Sequence, residues 1–324
     1  MRPYLLKGHS RPLTQLKYNR EGDLLFSCAK DHNPNLWYAD DGTRIGTYVG
    51  HNGAVATCDV SLDSTRLLTG SADSSAKLWD VETGANLFTW KHKAPCKAVA
   101  FGLGDGLAAI ATDPFMTTTP AIHLVRIAAD EADQSADAMQ VLAGFDKRTN
   151  RVAFTDVNAT LISAGEDGFV RRWDVETGKL KLESKIHAGS IADLQMSTDG
   201  THFVTASFDN MSKLVDTQTL EVLKTYATDR PANSAALSPI FDHVLIGGGQ
   251  EASQVTTTSS RAGKFESRFF HKIFTEEFGS VRGHFGPINA CAFSPDGRSF
   301  ATGGEDGYIR LHHFDNDYLT ARFF

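Results

Sequence analysis

The sequence predicts an all-β fold, a closed ring of seven four-stranded blades, and three observations carry that reading. A unit of about 40–45 residues recurs along the chain. Within each copy, apolar and polar residues alternate and break at Pro-Asp-Gly and Asp-Gly, as in ACAFSPDGRSFATGGEDGYIRLHHF. That is the pattern of antiparallel hairpins. No long stretch carries the 3.6-residue period of an amphipathic helix.

The repeat is set by a ruler. In GHNGAVATCDVSLDSTRLLTGSADSSAKLWDVETG, from Gly50, an aspartate follows the histidine by 22 residues and the tryptophan follows by 28. His51, Asp73 and Trp79 obey it, as do His9, Asp31 and Trp37. Phe145, Asp167 and Trp173 obey it with Phe in the His place, and His187, Asp209 and Val215 with Val in the Trp place. His284, Asp306 and His312 make the fifth copy. A hydroxyl stands four residues before every one of these aspartates: Ser27, Thr69, Ser163, Thr205 and Thr302. This second regularity is independent of the ruler and supports it.

Two weaker copies fill the gaps. His92 leads one, with Asp113 after it, the extra residues FMTTTP before the strand AIHLVRI, and the acidic insert AADEADQSAD, expected to be a solvated loop. The other starts near Thr228, with Gln250 in the Asp place. Its second strand is HVLIGGG, followed by an enlarged turn and a third strand over Ser267–Phe274, in which Phe270 takes the Trp place. Blades are therefore expected to start near residues 8, 50, 91, 144, 186, 227 and 283 of a single domain spanning 1–324. Tyr4–Lys7 precede the first blade and should supply the outer strand of blade 7, so that the ring closes and few strand edges stay open. Residues 318–324 are a surplus tail that packs under the ring or meets a partner.

The recurring residue types fit a buried polar network. A buried indole N–H needs an acceptor. The strand hydroxyl can supply it and pass a hydrogen bond to the histidine, which the turn aspartate orients. The residues expected to build this network are His9, Ser27, Asp31 and Trp37; His51, Thr69, Asp73 and Trp79; Asp167 and Trp173; and Asp209 and Asp306. An Asp–His pair resembles two thirds of a catalytic triad, but it recurs around the chain, whereas an active site would occur once. No enzyme, metal or cofactor is expected. Cys28, Cys58, Cys96 and Cys291 are scattered without a CxxC pair, and Gly247–Gly249 lack the GK[ST] of a phosphate loop.

The net charge of −7 and pI near 5.9 argue against general binding to nucleic acid or anionic membrane. No apolar run reaches the roughly 18–20 residues that span a bilayer. A soluble, cytoplasmic protein is expected, with no membrane association and no sequence-specific nucleic-acid contact of its own.

GH near the start and WD near the end of each unit are the WD-repeat pattern. The parts that depart from the repeat are more specific. GGGQEASQVTTTS, GKFESRFFHKIF and GHFGPINACAFSPDGRSFATGGEDGYIRLHHFD, with the opening GHSRPLTQLKYNREGDLLFSCAKD, resemble the family of the i subunit of eukaryotic translation initiation factor three, over nearly the whole chain. The resemblance implies a non-catalytic scaffold subunit of that factor, supporting initiation complex assembly on the small ribosomal subunit. It implies association with the g subunit, and binding of a C-terminal helix of the b subunit across blades 5 and 6. The family's acidic contacts to that helix match Asp199, in STDG, and Asp216, in LVD; the competing reading is that both cap turns. Arg261, Lys264, Arg268 and Lys272 could face ribosomal RNA or an acidic partner, or form a solvated strand face. The alternatives are a general WD-repeat signalling scaffold or a ubiquitin-ligase scaffold. The signalling class commonly has an N-terminal coiled coil, and no heptads precede Gly8. The ligase class commonly has Arg two residues after WD, where this chain has Glu82 and Glu176.

Overall fold

A computed structural model describes residues 3–249 and 265–320. It contains seven four-stranded antiparallel sheets, the blades of a β-propeller. In blade 2 the strands run Val55–Val60, Arg66–Ser71, Ser75–Asp80 and Asn86–Lys91, from the central channel outward. The inner strands of the other blades are Leu13–Tyr18, Cys96–Phe101, Thr149–Thr155, Ile191–Met196, Ala232–Leu237 and Ile288–Phe293. Blade 7 consists of Ile288–Phe293, Ser299–Gly304 and Tyr308–His313, and Tyr4–Lys7 closes it from outside, pairing Leu6 with Ile309 and Leu5 with Arg310.

The core lies between blades rather than inside any one of them. Phe26, Cys28, Leu36 and Tyr48 of blade 1 pack against Val55, Leu67 and Trp79 of blade 2. Leu13, Leu16 and Trp37 of blade 1 pack in the same way against Leu6, Ala292, Ala301 and Ile309 of blade 7. Burial on both faces explains why second strands such as LLFSCA (Leu24–Ala29) and TLISAG (Thr160–Gly165) are almost continuously apolar or small. The glycine of GH has a steric reason: a Cβ at Gly8 would lie 2.5 Å from the Trp37 ring. Gly247 is likewise required, since a Cβ there would overlap Cys291 Sγ and lie 2.7 Å from Ile288.

Two local expectations change. The third strand of blade 6 is Glu266–His271, not Ser267–Phe274. The chain reverses after His271, where Thr275 adopts a φ of 63° and donates its N–H back to the His271 carbonyl. Phe270 pairs with Val244 as Trp79 pairs with Leu67, so it occupies the Trp place. The insert after Arg126 is not simply solvated. It holds a short 3-10 helix at Glu131–Asp133, Arg66 donates to the Ala128 and Ala129 carbonyls, and Trp90 Nε1 donates to the Ser135 carbonyl. The enlarged turn of blade 6, with Gln250, Arg261 and Lys264, lies outside the described residues.

Near the C-terminus, a short helix at Asn316–Thr320 follows blade 7. Tyr318 stacks on Phe314 with ring centroids 3.8 Å apart, and its hydroxyl lies 2.6 Å from His243 Nδ1 of blade 6. No helix among the described residues is long and apolar enough to cross a membrane.

Candidate partner-binding face

In blades 1, 2, 4, 5 and 7 a polar network joins the second and third strands to the turn or loop residues beside them. In blade 2, Trp79 Nε1 donates to Thr69 Oγ1 at 2.8 Å, and Thr69 Oγ1 lies 2.7 Å from His51 Nε2. His51 Nδ1 lies 2.9 Å from Asp73, which also accepts from the Asn52 amide. Because Asp73 can only accept, His51 carries its proton on Nδ1 and Nε2 accepts from the hydroxyl. Blade 1 repeats the chain: Trp37 Nε1 to Ser27 at 2.8 Å, Ser27 to His9 Nε2 at 2.7 Å, and His9 Nδ1 to Asp31 at 2.9 Å. Burial lowers the His51 and His187 pKa values, keeping both rings neutral.

In blades 4 and 7 an arginine two positions before the Trp place joins the network. In blade 4, Trp173 donates to Ser163 at 2.9 Å, but Phe145 cannot reach Asp167; Arg171 takes its place at 2.6 Å and lies over the Phe145 ring. In blade 5, His187 bridges Asp209 and Thr205, each at 2.9 Å, while Val215 fills the Trp place. In blade 7, Arg310 Nη1 lies 3.1 Å from Asp306 and 2.6 Å from His284 Nδ1. His284 Nδ1 also lies 3.1 Å from Asp306, as the histidines of blades 1, 2 and 5 lie beside their aspartates, and its Nε2 lies 2.9 Å from Thr302 Oγ1. His312, in the Trp place, stacks on Phe300 with centroids 4.6 Å apart. The sequence reading missed Arg171 and Arg310. Its available signal was a polar residue two positions before the Trp place: Asn35, Lys77, Arg171, Lys213, Arg268 and Arg310.

Asp199 and Asp216 lie on one face of blade 5. Asp199 sits in the turn from first to second strand and Asp216 begins the turn from third to fourth, which antiparallel order puts on the same side. His202 separates them, paired in register with Asp216 and with Nδ1 3.8 Å from Asp199. Both carboxylates cap their own turns through Oδ1. Asp199 accepts from Ser197 Oγ at 2.5 Å and from Thr201 N and Oγ1; Asp216 accepts from the amides of Gln218 and Thr219 and from Thr219 Oγ1. These bonds hold both groups below the ordinary carboxylate range, Asp199 at about 2. Asp63 and Asp296 cap the corresponding turns of blades 2 and 7, and Asp80 and Asp174 cap turns as Asp216 does. Capping is thus a property of the repeat, while the second oxygens of Asp199 and Asp216 take part in no hydrogen bond among the described residues.

Blade 6 continues this face with Asp242, paired to Lys272 at 2.8 Å, and with exposed Ile240, Ile273 and Phe274. Arg268 is also paired within the chain, 2.6 Å from Asp229 and 3.3 Å from Glu266. Neither cation therefore belongs to an open basic surface. Among the described residues no group of three potential ligands could hold a metal.

A family model described as EIF3I matches residues 1–323. Proteins named eukaryotic translation initiation factor 3 subunit I are similar over the full length: 48% identity in Bombyx mori, covering 100% of this chain and 98% of that protein; 47% in Drosophila melanogaster, covering 100% of each; and 47% in Homo sapiens, covering 100% of this chain and 99% of that protein. The chain belongs to the family of subunit I of eukaryotic translation initiation factor 3.

Proposed function

We propose that this chain is a non-catalytic, cytoplasmic scaffold subunit of the eukaryotic translation initiation factor 3 complex. It binds a C-terminal helix of the b subunit across blades 5 and 6, associates with the g subunit, and so supports initiation complex assembly on the small ribosomal subunit. The observation that carries the helix contact is the placement of Asp199 and Asp216 on one face, each anchored through Oδ1 while Oδ2 takes part in no hydrogen bond among the described residues. A fixed carboxylate is preorganised to accept a charge-assisted bond from Arg or Tyr of an amphipathic helix. The exposed apolar residues of blade 6, Ile240, Ile273 and Phe274, give that helix an apolar surface to cover.

The test is the affinity of the folded Asp216→Lys protein for a peptide spanning the C-terminal helix of the b subunit. The proposal expects a loss of about ten-fold or more, the scale of one charge-assisted contact replaced by repulsion. Wild-type affinity removes Asp216 from the interface. Affinity purification from cells then tests the assembly, which requires the b and g subunits to co-purify.

A further inference from the structure

Every inner strand carries a bulge at its second residue: Thr14, Ala56, Lys97, Asn150, Ala192, Asn233 and Asn289. A bulge frees one residue from the ladder and re-aims its side chain. All seven line the mouth of the central channel, a cavity of about 590 Å³ on the face opposite Asp199 and Asp216. Four of them tie their blade to the next. Thr14 donates to the Val55 carbonyl at 2.6 Å, Asn150 to Ile191 at 2.7 Å, Asn233 to Ile288 at 3.1 Å, and Asn289 to Leu13 at 3.2 Å. Ala56 and Ala192 leave space.

Lys97 breaks this pattern. It makes no hydrogen bond or ion pair among the described residues, although it stands where its counterparts tie the ring. Its surroundings are cationic: Arg151, Arg148 and Lys30 line the same mouth. Burial, together with those three cations, lowers its pKa to about 8, against the opposing pull of Asp113. The other charges are largely matched. Arg151 lies 2.8 Å from Asp193, Arg148 lies 3.2 Å from Glu166, and Glu305 accepts from Asn289 at 2.8 Å. Lys30, like Lys97, has no ion pair among the described residues.

We infer that the channel mouth is a binding site for a small polyanion, a compact ligand with two or more phosphate groups, held between Lys97, Lys30 and Arg148. The cavity lies within the roughly 300–1,000 Å³ of small-ligand sites. The cations come from blades 3, 1 and 4 and line one cavity, the arrangement that suits a multiply charged group seated between blades. Lysine ammonium groups are flexible point charges suited to phosphate oxygens. Glu166 and Glu305 on the rim oppose an extended acidic chain laid across the mouth, which favours the compact ligand.

The test is calorimetry of the purified protein with sodium tripolyphosphate and, separately, with inorganic phosphate, at constant ionic strength. Tripolyphosphate should bind at least about ten-fold more tightly than phosphate. Lys97→Met should weaken it by about ten-fold, the loss of one charge-assisted contact. Far-UV melting checks that Lys97→Met is folded. Lys30→Gln, on the exposed rim, is the second variant and should weaken binding in the same direction. The inference is overturned by absence of tripolyphosphate binding at millimolar concentration, by unchanged affinity in both variants, or by tighter binding of a hexa-aspartate peptide.

Discussion

Trp79 Nε1 donates to Thr69 Oγ1 at 2.8 Å, and the same hydroxyl lies 2.7 Å from His51 Nε2, so one buried oxygen joins the second and third strands of blade 2 to the loop that leads into its first. Thr69→Val keeps the shape and removes both bonds, leaving an indole N–H and an imidazole nitrogen without partners. Each orphaned group costs about 1–3 kcal/mol. Urea unfolding of Thr69→Val should therefore show a loss of about 2–6 kcal/mol. Thr302→Val, in blade 7 where no Trp donates, should lose about half as much.

The turn caps separate structure from recognition. Asp199→Asn keeps an oxygen able to accept from Ser197 and Thr201 but loses the charge. Its stability should stay within about 0.5 kcal/mol of the parent, while affinity for the b-subunit helix falls. Asp63→Ala removes the equivalent cap from Ser61 and Thr65 in blade 2. It should cost about 1 kcal/mol and leave helix affinity unchanged. Fluorescence titration with a labelled peptide, alongside melting curves, reads both quantities. Equal affinity for wild type and Asp199→Asn would assign Asp199 to its turn alone.

These two cases show what was legible in the chain. The network was readable because each member sits at a fixed offset and its chemistry needs that residue type. Closure by Tyr4–Lys7 was readable because a four-stranded blade 7 lacked one strand. The bulges were not readable, since a bulge at every inner strand leaves the spacing of 22 residues unchanged. Lys97 therefore looked like an ordinary strand residue. The end of the third strand in blade 6 was misread because HKIF is as apolar and aromatic as a strand; the reversal rests on Thr275, a β-branched residue at positive φ, which propensity disfavours. Asp199 and Asp216 as contacts came from resemblance, because a cap and a contact need the same carboxylate.

Acid should unfold the protein earlier than its carboxylates require. Burial lowers His92, His243 and His312 to about 4 each, with His284, Arg310 and His313 adding to the effect at His312. An unfolded histidine titrates near 6.5. Below that pH the unfolded chain takes up protons that the folded chain refuses, so stability falls from about pH 6.5 down to about 4. Asp73 behaves differently. Burial alone would raise it, but bonds from Ser75, Asn52 and His51 hold it at about 2, so its contribution is intact above its unfolded value of about 3.8 and lost below it. Melting temperatures measured from pH 7 to 4.5 should drop throughout that window. His312→Phe keeps an aromatic ring against Phe300 and removes one titrating group, so its drop should be smaller. A flat profile down to pH 4.5 would show that these histidines do not resist protonation.

The N-terminal strand should control the cooperativity of the whole ring. Leu6 is 3% exposed and packs with Ile309 and Leu311 of blade 7 and Trp37 of blade 1, and Tyr4–Lys7 forms the outer edge of blade 7. These contacts join the first residues of the chain to the last blade, so they form only when the ring is closed. Leu6→Ala removes a buried side chain and should cost about 2–5 kcal/mol. Removing residues 1–7 also exposes the edge of Tyr308–His313 to pairing with another chain. Such a truncation should melt at lower temperature and self-associate, which size-exclusion chromatography can follow. Leu5→Ala is the control: Leu5 lies on the same strand but is 47% exposed, and a surface change there should stay within about 0.5 kcal/mol. If Leu6→Ala and Leu5→Ala melt alike, the strand is not a clasp and the ring holds through its inter-blade cores alone.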